Sequence, residues 1–141
     1  MQKHTQPLIA ITLAATLVAF TAAAQAPKQI TVRNMPASVV KTVPPAGATD
    51  VDPALKELSF TFSKDMTDHS WSASQISDET YPKSGDGEMH YLPDKRTCVM
   101  PVKLEPGKTY VIWLNTGKFH GFQDTSHYPS VPYLLVFQTR K

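Results

Sequence analysis

His120, Asp124 and His127 form the densest set of potential ligands in the sequence, two imidazoles and a carboxylate within eight residues. Nitrogen and carboxylate donors of this kind suit Zn(II) or Cu(II). They lie in residues 117–132, a stretch with two glycines, two prolines and no helix or strand pattern to hold the spacing rigid. The competing reading is a polar loop with solvated histidines. Asp50, Asp52, Asp65 and Asp68 fall in two loops able to approach each other and suggest Ca(II), which needs six or more oxygens in one cage. Asp50 also suits a local Asx turn. Trp71, Tyr91, Trp113, Phe119, Phe122 and Tyr128 suggest a stacking platform for a sugar or peptide, with Trp71 and Tyr91 equally suited to a core.

Catalytic signatures are absent. There is no G-x-S-x-G elbow, no H-E-x-x-H and no glycine-rich phosphate loop. Cys98 is the single cysteine, and its place in an alternating apolar segment reads as a small buried hydrophobe rather than a nucleophile. The expectation is a non-enzymatic protein without a required cofactor, copper or zinc at the loop histidines being the alternative.

The elements that must position these residues are strands. Residues 57–63 alternate, with Leu58, Phe60 and Phe62 on one face and Ser59, Thr61 and Ser63 on the other. Similar segments occur at 39–43, 70–77, 89–92, 97–102, 110–115 and 133–139, giving seven strands joined by Gly/Pro turns. No window shows a convincing 3.6-residue period. The expected architecture is an all-β Greek-key sandwich.

Leu104-Glu105-Pro106-Gly107-Lys108-Thr109-Tyr110 organises the second half. Proline and glycine make a turn, one by presetting φ, the other by tolerating φ > 0. A leucine, this turn and a tyrosine three residues past the glycine resemble the tyrosine corner of immunoglobulin-like sandwiches, in which the phenol bonds backbone upstream of the turn. With Tyr110, Ile112 and Leu114 inward, Val111 and Trp113 face out. On the last strand, inward Tyr133, Leu135 and Phe137 leave Leu134 and Val136 outward. These two strands are neighbours in such a fold, so Val111, Trp113, Leu134 and Val136 make one apolar patch of the kind that marks partner surfaces. Phe119 and Phe122 extend it into the 117–132 loop. Its alternative fate is cover by Ile30 and Val32 of the leader.

The 141 residues suffice for one domain. Lys3 and His4, the uncharged run from 8 to 20 and the small residues at 21–26 have the layout of a secretory signal peptide, cleaved after Ala24 or Ala26. The apolar run is shorter than the roughly 20 residues of a spanning helix, so no stable membrane anchor is expected. The expected division is a signal peptide at 1–24, a flexible leader at 25–37 and the sandwich at 38–141. Without Lys3, the 14 Lys and Arg fall to 13 against 12 acids. So even a balance gives no electrostatic case for nucleic acid.

Several pieces in order are similar to one family. Pro45, Gly47 and Asp50-Val51 precede Phe60-Thr61-Phe62-Ser63-Lys64-Asp65-Met66; Leu104-x-Pro106-Gly107-x-x-Tyr110 and Phe137-x-Thr139 follow. Together they resemble the bacterial immunoglobulin-like domain of the surface-layer type, over about residues 38–141. The resemblance implies a spacer, adhesion or docking module of exported proteins, periplasmic or secreted, with a protein partner or neighbouring domain and no catalytic residues. A second resemblance, to small periplasmic copper-binding sandwiches, rests on the proline-glycine opening and the Thr61-Phe62-Ser63 strand. It implies an N-terminal histidine ligand, whereas Gln25 or Pro27 would begin the mature chain.

Overall fold

The computed structural model describes residues 29–141. Expectations for the signal peptide and the first leader residues lie outside them. Among the described residues eight strands form: β1 Val39–Val43, β2 Glu57–Phe62, β3 Ala73–Ser74, β4 Lys83–Ser84, β5 His90–Tyr91, β6 Thr97–Lys103, β7 Thr109–Leu114 and β8 Tyr133–Gln138. One sheet runs β1-β2-β6-β4, with β5 also on β6; the second runs β3-β7-β8, and all strand pairs are antiparallel. This is the order of a constant-type immunoglobulin sandwich, in which strands A, B, E and D face C, F and G.

Alternation builds the core. Leu58, Phe60 and Phe62 from β2, Tyr110, Ile112 and Leu114 from β7, and Leu135 and Phe137 from β8 are buried together. Each such side chain removed from water contributes about 1.5–3 kcal/mol against the entropy of ordering the chain. β6 is buried at every residue except Lys103 and is a central strand, with β2 paired along one edge and β4 and β5 along the other. Cys98 is fully buried, and desolvation pushes its thiol up to about 12.

The strands expected at 70–77 and 89–92 shorten, the latter to His90–Tyr91, and one strand is added. The strand expected at 70–77 contracts to Ala73–Ser74, which pair with Leu114 and Trp113 at the end of β7, and the Asn115 amide reaches the Ser72 carbonyl at 3.0 Å just beyond them. β4 lies between the strands expected at 70–77 and 89–92. Its two residues are too few to show alternation, and Gly85 beside them lets the backbones close up: a Cβ there would stand 2.5 Å from the Val102 nitrogen. The edge of β8 is partly covered. Gly47 donates to the Val136 carbonyl at 2.7 Å, Gln138 to Ala48 at 2.7 Å and Val51 to Gln138 at 3.1 Å, so the turn-rich segment after β1 crosses to the second sheet.

The leader is docked further back than residue 38. Ala37 has no exposed surface, its carbonyl accepts from the Val131 amide at 2.8 Å, and Ser38 and Ser63 exchange two hydrogen bonds.

Candidate functional site: the outer face of β7 and β8 and the loop between them

The corner before β7 has the expected geometry. The Glu105 amide donates to the Tyr110 hydroxyl at 2.8 Å, and the tyrosine ring lies 5.4 Å from that of Phe137. Gly107 takes φ 66°, a conformation that would strain other residues. Leu104 packs on the core edge, and Pro106 sits at the turn beside it.

Beyond β7 the chain turns at Asn115, which is fully buried and has φ 59°. Asparagine tolerates this left-handed conformation better than most residues. Its amide nitrogen donates to the Phe122 carbonyl at 2.8 Å and to the Ser130 carbonyl and hydroxyl at 3.2 and 3.0 Å. Its side-chain oxygen accepts from the Phe122 amide at 2.9 Å. One side chain thus ties both arms of the loop to the end of β7. Gly121 lets the loop backbone cross that of Trp71, where a Cβ would stand 2.2 Å from the Trp71 carbonyl oxygen.

Phe122 is therefore not part of an exposed surface, and its expected partner-binding role is corrected. The Asn115 clamp pulls it inward, where it has no exposed area and packs 6.4 Å from the Phe60 ring and 5.1 Å from that of Phe62. Phe119 stays half exposed, with the Lys118 ammonium 5.5 Å from its ring centre.

Asp124 is also interior. Its carboxylate accepts from the Ser126 amide at 2.9 Å, from the Tyr128 amide at 3.1 Å and from the Lys64 ammonium. Burial alone would raise this carboxyl, but the Lys64 ammonium and the Tyr128 and Ser126 amides outweigh it and hold the group below the usual carboxylate range. The expected metal set of His120, Asp124 and His127 is thereby dispersed. Both histidines are exposed, while the carboxylate is turned inward and already satisfied. His127 contributes a left-handed backbone at φ 62°, its amide donating to the Asp124 carbonyl at 2.8 Å. Among the described residues no three His, Cys, Asp or Glu side chains stand together as a metal site. The four acids considered for calcium are separately engaged or exposed: Asp52 pairs with Arg140 and Asp65 with Arg96, each at 2.7 Å, Asp68 lies beside His69, and Asp50 is exposed.

The four strand residues do come together. Val111 stands opposite Val136 and Trp113 opposite Leu134, two adjacent cross-strand pairs on the outer face of the second sheet. Leu134 is exposed and the other three half-buried. Ser74, opposite Trp113, continues the face onto β3. Ile30 and Val32 remain 78% and 79% exposed, so these two residues do not seal the patch. Asn115 and Lys64 are the positioning residues that sequence reasoning missed. The sole local signal was an asparagine at the end of an apolar strand, a residue type suited to left-handed turns.

The family model of a bacterial Ig-like domain matches residues 33–139. Its start at 33 agrees with a docked segment ahead of β1. A crystal structure of the S-layer protein rSbsC(31-844) matches with TM-score 0.47 and 20% identity, over 76% of this chain and 14% of that one. A structure of domains 1–6 of the surface layer protein SbsC matches with TM-score 0.47 and 19% identity, over 77% and 14%. The chain thus spans a small part of each of those proteins. No curated protein matches it significantly. With the strand order, the tyrosine corner and a family match over most of its length, this chain belongs to the bacterial Ig-like domain family.

Proposed function

We propose that this protein is an exported, non-enzymatic Ig-like module that works by protein contact, to a partner or a neighbouring domain, in the periplasm or at the cell surface. The observation that carries the reading is the set of two apolar cross-strand pairs, Val111 with Val136 and Trp113 with Leu134, on an outer sheet face that Ile30 and Val32 do not cover. Phe119 and Tyr128, 51% and 45% exposed, add aromatic surface from the adjoining loop. Aromatic side chains on a rigid scaffold supply contact area at small entropic cost, and tryptophan and tyrosine recur where interfaces concentrate their energy.

A photo-reactive residue at position 134, tested in cells, should cross-link to a discrete partner or to a second copy. Trp113→Ser in the same protein should abolish that product while leaving the melting transition nearly unchanged. An unchanged cross-link pattern in the Trp113→Ser protein would reject this face as the working surface.

A further inference from the structure

Lys64 stands where three segments meet. Its ammonium donates to the Arg33 carbonyl at 3.0 Å, to the Met35 carbonyl at 2.8 Å and to the Asp124 carboxylate. The side chain is 15% exposed and that of Asp124 1% exposed. Asp124 makes no hydrogen bond to residues 33–37; Lys64 is the polar link from it to them. The remaining partners of Asp124 belong to the loop between β7 and β8 and to the segment after β2. Its carbonyl accepts from the Thr67 hydroxyl at 2.8 Å, and next to it the Thr125 amide donates to the Asp65 carbonyl at 3.2 Å. The segment before β1 is fastened at two other places, where the Val131 amide reaches the Ala37 carbonyl and where Ser38 pairs with Ser63.

We propose that residues 33–37 form a strap latched to the β7–β8 loop through the Lys64–Asp124 ion pair. Whatever pulls on or binds the arm entering the domain then changes the order of the loop that carries Phe119 and Tyr128. The physical reason is the cost of separating the pair. A strap that leaves takes two carbonyl acceptors from the Lys64 ammonium and opens it to water, which weakens its hold on Asp124; a buried carboxylate without its ammonium is strongly unfavourable, so strap and loop loosen together. The coupling is a property of the fold and stands whether or not the β7–β8 face is a partner surface.

Hydrogen exchange in the Asp124→Asn protein tests this. Asparagine keeps a side-chain oxygen for the Ser126 and Tyr128 amides but removes the anion that holds Lys64. The latch predicts that the Met35, Ser38 and Val131 amides exchange about tenfold faster or more, while the β6 and β7 amides keep wild-type rates. Lys64→Gln should accelerate the same strap amides and, in addition, those of Ser126 and Tyr128. Unchanged strap amides in Asp124→Asn would overturn the proposal, the strap then being held by Ala37 and Ser38 alone. Equal acceleration across β6 and β7 in both variants would overturn it too, because the pair would then support the whole fold rather than a local latch.

Discussion

The bends at the two ends of β7 are each closed by a residue at that end whose side chain bonds backbone, Tyr110 within one turn and Asn115 across both arms of a long loop. At the corner, Tyr110 accepts from an amide five residues upstream, and Thr139 adds a donor to the Glu105 carbonyl at 2.6 Å and an acceptor for the Lys108 amide at 2.9 Å. At the far end, Asn115 bonds residues seven and fifteen positions away, and Asp124 is tied to Lys64 sixty residues earlier. The corner is a short loop with one reinforced turn. The β7–β8 loop is long, and it stays in place because its centre is drawn into the core through Phe122. A long connection with its own buried anchor costs the fold little entropy once the anchor is set.

The comparison is most easily broken at that anchor. Phe122→Ala should cost about 4 kcal/mol of stability in urea unfolding, the range for emptying a buried aromatic site. A cost below about 1 kcal/mol would return Phe122 to the surface, since exposed substitutions rarely exceed that. Asn115→Ala should cost roughly 3 kcal/mol, because the Phe122 amide and the Ser130 and Phe122 carbonyls lose partners in a buried setting and alanine resists φ > 0. Tyr110→Phe removes one hydrogen bond and keeps the ring, so about 1 kcal/mol is expected by the same assay. The order of these three costs is the content of the comparison.

A smaller effect at the loop end is read by pH. The Asp124 carboxyl is held below its ordinary value, so its contribution is complete above the unfolded carboxylate pKa, about 3.9, and is lost as pH falls through the lower folded value. Melting temperature followed from neutral pH downward should fall less steeply at the acid end in Asp124→Asn than in the native protein. Cys98 offers a check that changes no residue. With its thiol buried and pushed up to about 12, a thiol reagent at neutral pH should label it only at the rate of unfolding.

How much the chain disclosed follows the same division of reach. The corner was legible because proline, glycine and tyrosine lie within one turn and each has a conformational reason to be there. The alternation of Leu58, Phe60 and Phe62, and of Tyr110, Ile112 and Leu114, disclosed the two layers and the outward set of Val111, Trp113, Leu134 and Val136. The interior of the loop was not legible. Nothing local distinguishes Phe122, with no exposed area, from Phe119, with 51%; the difference is made by Asn115, which binds the backbone on both sides of Phe122. His120-x3-Asp124-x2-His127 likewise has the composition of a metal site, but the spacing carried no information about Lys64, which turns the carboxylate inward. Short β4 escaped for a simpler reason: two residues cannot display a period, whereas β3 and β5 fall inside the strands expected at 70–77 and 89–92.

The central claim, that the β7–β8 loop is built into the core rather than draped over it, is tested most directly by amide exchange in the native protein. The Phe122 amide, bonded to the Asn115 side chain, should be protected within about tenfold of the amides of β7. Exchange of the Phe122 amide at the rate of an unstructured chain, with β7 still protected, would contradict it.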